Sequence, residues 1–168
     1  MKYKIIHSST SESTPNHMIL PVIVYQDVKG DFAQIFKQNQ WTGIWTDGVF
    51  DYHHYHPDTH EVLGVASGEA TLMIGGESGS KITVKVGDAL LLPAGYGHKR
   101  LEASHDFKVV GAYPTDNEVE TLTSYDDINA INMRVNNVTL PEQDPIEGST
   151  GPMFKEWHNI YHCNTFLK

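Results

Sequence analysis

Apolar positions along the chain change their period more than once. Residues 19–25 are apolar and largely β-branched and predict a strand. Residues 31–40 switch to helical spacing, with Phe32, Ile35 and Phe36 at i, i+3 and i+4. From 50 to 113, short runs of β-forming residues alternate with turn residues. The runs are 50–56, 61–66, 69–74, 81–86, 89–92, 98–101 and 107–113, broken at Pro57-Asp58, Ser67-Gly68, 75–80, Gly87-Asp88 and 93–97. Short strands at near-regular spacing predict an all-β antiparallel sandwich or barrel. Beyond Pro114 the chain is polar; 124–135 predicts a helix, 140–152 is a Pro/Gly-rich loop, and no pattern follows Phe154. The Ser/Thr-rich first 17 residues predict a flexible arm. The expected organisation is an arm at 1–17, a single domain at 18–157 and a tail at 158–168.

Length and charge narrow the class. At 168 residues and 18.8 kDa the chain fits one domain, and a chain of this size buries roughly 70% of its unfolded surface without help from disulfides. Cys163 is the single cysteine, which excludes an intramolecular disulfide and a cysteine metal cage. Lys plus Arg number 12 against 21 Asp plus Glu, a net charge of −9 that repels phosphate and argues against nucleic acid and anionic membrane as partners. The longest apolar stretch, 18–25, contains Pro21 and is far short of the roughly 20 residues of a membrane span. Residues 1–8 carry positive charge but lead into no apolar core of a signal peptide. A cytoplasmic protein is the expectation.

Histidine is the unusual component: 10 copies, four of them between positions 53 and 60. On a strand, His54 and His56 at i and i+2 point to one face, and two imidazoles on one face make half a metal site. A turn at 57–60 returns the chain so that Glu61 can lie beside them. His98, just past the turn 93–97, is the candidate fourth ligand. Three neutral imidazoles and a carboxylate suit one divalent first-row ion, Fe, Mn, Ni, Co or Zn, and an octahedral sphere then keeps two positions open for water or substrate. Taken alone, the pattern fits a metal site and a set of surface histidines equally well.

The glycine framework resembles the cupin superfamily. Gly48, His54, His56, Glu61 and Gly68 match the first cupin motif without a gap, and Gly87, Pro93, Gly95 and His98 match the second, with Glu102 where that motif has Asn. The motifs span 48–68 and 87–102. The run 41–47, His60 to Gly64, Val110 to Pro114, Leu140-Pro141, Asp144-Pro145, Gly151-Pro152 and Trp157 are similar to the YjlB-type bacterial cupins. The resemblance implies a single-domain double-stranded β-helix, a jelly-roll barrel with short flanking helices, and a metal on His54, His56, Glu61 and His98. It implies no particular reaction.

Counting by two from the ligands places Phe50 and Tyr52, Arg100 and Glu102, and Leu63 and Val65 on the barrel interior. Arg100 there would hold a substrate carboxylate or enolate, or pair with Glu102; Tyr52 would donate a proton or hydrogen bond near the metal, or simply pack. His53 and His60 alternate outward and read as structural. His158, His162 and Cys163 lack a framework for chemistry, and 75–79 reads as a hairpin turn rather than a phosphate loop. Two functions stay open. One is a small metal-dependent enzyme of dioxygenase or isomerase type, acting on a small oxygen-rich metabolite. The other is a non-catalytic, metal-loaded binding or sensing module. A homodimer using the strand 19–25 is a further expectation.

Overall fold

The computed structural model describes residues 1–160, so His162 and Cys163 lie outside the described residues. Among the described residues, nine strands form two antiparallel sheets. Strands β1 (Tyr3–Ile6), β2 (Val22–Tyr25), β3 (Thr42–Asp47), β4 (Glu61–Ser67), β7 (Ala89–Leu92) and β9 (Lys108–Tyr113) form the larger, in the order β1-β2-β7-β4-β9-β3. Strands β5 (Glu69–Ile74), β6 (Ser80–Lys85) and β8 (His98–Ala103) form the smaller, in the order β6-β5-β8. The strand pattern predicts an antiparallel sandwich or barrel, and the arrangement is the jelly-roll barrel that the cupin resemblance implies. Alternation along the larger sheet supplies two cores. Val22, Val24, Leu63, Val65, Leu90, Leu92 and Val109 face inward against Ala70, Leu72, Ile74, Ile82 and Val84 of the smaller sheet. Ile23, Tyr25, Val62, Leu91, Val110 and Ala112 face outward, where Phe32 and Phe36 of helix α1 (Phe32–Gln38), Met153 and Trp157 cover them. Burial on both faces explains why β2, β4 and β7 read as continuous apolar runs.

Two elements escape the hydrophobic pattern, β1 and β3, and the first 17 residues correct the expectation of a flexible arm. Strand β1 pairs with β2 along its whole length, Tyr3 opposite Tyr25 and Ile6 opposite Val22. Ser11, Thr14, Asn16 and His17 are buried. Their polarity hid them because their hydrogen bonds run to the barrel rather than to water: the Asn16 Nδ2 donates to the Ser9 and Gly75 carbonyls, and its Oδ1 accepts from the Gly97 amide at 3.0 Å. Because β1 and β7 flank β2 on either side, β2 has no free edge to offer a second copy. Helix α2 (Ile128–Asn136) begins four residues later than expected, at the Asp127 cap. A single π turn, Phe154–His158, seats Trp157, whose indole donates to the Pro21 carbonyl at 2.8 Å.

Candidate metal centre

Glu61 opens β4 and His98 opens β8, so the two sheets bring both to one mouth of the barrel. The expected strand 50–56 is not a ladder. It is an extended segment whose β pairing is limited to the isolated bridges His54–His98 and Tyr55–Leu122, with single backbone bonds from the Arg100 amide to the Phe50 carbonyl and from the Gly95 amide to the His56 carbonyl. It still delivers both histidines. One ligand-competent atom from each of His54, His56 and His98 lies within 4.8 Å of the others, and all three residues are buried. The Glu61 Oε1 sits 3.4 Å from the Nε2 of both His56 and His98.

The hydrogen bonds on the far side of each ring fix its tautomer. The Nδ1 of His54 lies 3.0 Å from the Tyr52 carbonyl, that of His56 3.0 Å from the Glu120 carbonyl, and that of His98 3.1 Å from the Tyr96 carbonyl. A carbonyl only accepts, so each Nδ1 carries its proton and each Nε2 presents a lone pair. Metal-binding imidazoles are oriented by bonds of this kind. Three lone pairs and a carboxylate oxygen facing one another repel unless a cation lies among them, so the donor set fits a metal ion.

Electrostatics within the cluster follow. Burial alone would raise the Glu61 carboxyl, but the His56 and His98 rings hold it well below the ordinary carboxylate range. Burial, helped by the His98 ring, lowers His54 to about 3. Burial would lower His56 too, yet the Glu61 carboxylate outweighs it and raises the ring.

Tyr113, at the end of β9, belongs to the site although strand counting from the histidines never reaches it. Its hydroxyl hydrogen-bonds to Glu61 and accepts from the Trp45 indole at 3.0 Å. Burial, then the Glu61 carboxylate, push its phenol above the ordinary range. The signal lay on another strand: Val62 pairs with Ala112, which sets Tyr113 beside Glu61.

A cavity of about 310 Å³ opens over the cluster, walled by Trp45, Val49, Phe50, Leu63, Tyr113 and Val119, with Asp47 and Thr121 at its polar edge. A larger cleft of about 670 Å³ lies elsewhere, lined by Arg134, Asn39 and Glu142 among others, and touches none of the histidines.

The residues expected around the metal are placed differently. Tyr52 is 43% exposed, stacks on Phe50 at 4.9 Å, meets the His54 ring edge-on at 5.7 Å, and orients that ring through its backbone carbonyl. Arg100 faces Asp51 at 3.8 Å rather than Glu102. Strand β8 carries one extra residue, Leu101, between Arg100 opposite Leu72 and Glu102 opposite Thr71, so Glu102 leaves the face that Arg100 shares with His98. Neither Arg100 nor Glu102 lines the cavity. His53 stands outside the cluster. His60 is fully buried beside Trp157, its Nδ1 accepting from the Ala94 amide and its Nε2 donating to the Thr139 carbonyl, a structural role that keeps it neutral with burial holding it at about 3.

Arg134 of α2 clamps the segment that crosses the cavity. Its guanidinium donates to Asp58 and to Glu120 at 2.6 Å each, and the Glu120 carbonyl is the one that orients His56.

Residues 44–109 match the Cupin domain family. Uncharacterized protein YjlB of Bacillus subtilis (strain 168) is 40% identical over 147 residues, covering 85% of this chain and 89% of that protein. Among solved structures, a DUF861 family protein from Thermotoga maritima is 22% identical, covering 54% of this chain and 96% of its own, at a TM-score of 0.37. Acireductone dioxygenase from Bacillus anthracis, with cadmium ion in its active centre, is 18% identical, covering 49% and 55%, at a TM-score of 0.35. With that identity running through most of both chains and both cupin motifs meeting at one barrel mouth, the chain belongs to the cupin superfamily, among the proteins similar to YjlB.

Proposed function

We propose that His54, His56, Glu61 and His98 hold one divalent first-row metal ion (Fe, Mn, Ni, Co or Zn) and that the protein is a small metal-dependent enzyme acting on a small oxygen-rich metabolite, with chemistry of the dioxygenase or isomerase type. The observation that carries this reading is the convergence of one ligand-competent nitrogen from each of His54, His56 and His98, with the Glu61 carboxylate 3.4 Å from two of them and every Nδ1 proton already committed to a carbonyl. The metal would supply Lewis acidity toward substrate oxygens bound beside it. The chain supplies the rest. Backbone carbonyls set the ring orientations, the Tyr113 hydroxyl holds Glu61, and the apolar wall admits a molecule of limited size.

Elemental analysis of untagged protein purified without chelator tests the reading. Near one metal ion per chain is expected in the native protein and close to none in a His54→Ala/His98→Ala variant. A native protein that carries no metal and takes none up on titration would overturn the four-ligand assignment. Oxygen uptake and isomerisation assays on vicinal diols, diketones and hydroxyketones then separate the reaction types.

A further inference from the structure

The wall of the cavity restricts what can be bound there. Trp45, Val49, Phe50, Leu63, Tyr113 and Val119 give it an apolar and largely aromatic surface. Neither Lys nor Arg is among its lining residues. Arg100, the one guanidinium that strand counting would place inside, is turned toward Asp51 and borders a different hollow with Glu102 and Lys108. The charges that do line the cavity are both negative, Glu61 at its floor and Asp47 at its edge.

The polar atoms of this wall are largely committed to one another. The Trp45 indole N–H is given to the Tyr113 oxygen, and the Tyr113 hydroxyl in turn bonds to Glu61. The three Nδ1 protons go to carbonyls. The Gly48 amide at the rim is held by its neighbour, the Asp47 carboxylate, at 2.7 Å. A carboxylate or phosphate on the far end of a ligand would therefore find no cation there and, apart from the Thr121 hydroxyl at the edge, no uncommitted donor, and an anion buried without matching partners is strongly disfavoured.

We infer that the ligand of this site is a small, neutral or singly charged molecule with an apolar or aromatic body and a two-oxygen chelating end, such as a hydroxyketone, β-diketone or catechol, rather than a dicarboxylate or a phosphorylated sugar. The inference rests on the metal-site reading above. Charge counting agrees with it: a divalent ion beside one carboxylate and three neutral imidazoles leaves a single positive charge, which a dianion would overshoot. Phe50, 52% exposed and stacked on Tyr52, extends the aromatic surface from the wall to the cavity mouth.

The test uses the full chain loaded with Zn²⁺, its metal content read by elemental analysis before every titration. Maltol and oxalate are titrated separately, with quenching of Trp45 fluorescence as the signal and a Trp45→Phe variant to assign it. Each affinity is divided by that of the same probe for Zn²⁺ in water. On that scale maltol is expected to exceed oxalate by at least about tenfold. A Val119→Arg variant that still holds zinc is expected to gain oxalate affinity and narrow the gap. Zinc-loaded protein that prefers oxalate on that scale would overturn this inference and leave the metal site standing. Protein that takes up no zinc would overturn the metal reading and this inference with it.

Discussion

Tyr113 and His17 show what a single buried side chain does here. The Tyr113 hydroxyl links the Trp45 indole to Glu61, so a Tyr113→Phe variant leaves one carboxylate oxygen without its partner. Removing such a group behind a metal ligand costs about ten- to a hundredfold in metal affinity, a loss that competition with a chelating dye would read while thermal unfolding stays close to native. His17 bears on acid stability. Its Nδ1 accepts from the Ile19 and Leu20 amides, and burial lowers its pKa to about 4. Between that value and the ordinary 6.5, the unfolded chain takes up a proton that the folded chain refuses. Stability from this residue is therefore complete above neutrality and drains away as the pH falls toward 4, by up to about 3 kcal/mol. In His17→Asn the side-chain oxygen can replace Nδ1 without titrating, and urea unfolding from pH 7 to 4 should show a shallower acid limb than in the native chain; equal limbs would refute the account. The four proposed ligands were legible in the sequence because strand spacing offers them as candidates and the two glycine motifs that resemble the cupins single them out. Tyr113 was not, because its place depends on cross-strand register, and Glu102 was misplaced because the bulge at Leu101 of its own strand carries no sequence signature.

Close approach between elements turns on two glycines. A Cβ at Gly111 of β9 would lie 2.2 Å from the Trp45 ring, and one at Gly64 of β4 would lie 2.4 Å from Phe32. In the first position the sheet accepts an indole laid flat against it, and in the second it accepts helix α1. Gly111→Ala should therefore destabilise the fold by about 1–3 kcal/mol and also displace Trp45 from the cavity wall, visible as a changed near-ultraviolet circular dichroism band. Gly64→Ala should cost a similar amount in denaturant unfolding and leave that band unchanged. Strands β5 and β6 were readable from alternation because each keeps a wet and a dry face, and β2, β4 and β7 as apolar runs because both of their faces are buried. Strand β3 was not, since its exposure does not alternate and its register against β9 slips between Thr42 and Trp45. The His54 segment looked like a strand because its residues favour extended backbone, yet it has too few neighbours to form a ladder.

At the scale of the whole molecule, the segment before β2 ties the barrel mouth together. Asn16, in a left-handed backbone conformation at φ 58°, reaches Gly75 and Gly97, and Gly97 immediately precedes His98. Removal of residues 1–17 should weaken metal retention as well as thermal stability, which elemental analysis and calorimetry on the truncated chain would show together. Polar composition concealed this role, because a buried serine or asparagine that bonds to a distant carbonyl is spelled the same way as one in a loop. The pairing of β1 with β2 has a consequence for solubility too. The sequence Val22-Ile23-Val24-Tyr25 is almost wholly buried, rich in β-branched residues and without charge, the composition that favours cross-β stacking once an edge is bare. Strand β1, with Lys2 just before it and Lys4 within it, covers that edge and presents charge in its place. A proteolytic cut at the exposed Ser9 or Thr10 would strip the cover, turning a protected interior strand into a template on which other chains could assemble into fibrils.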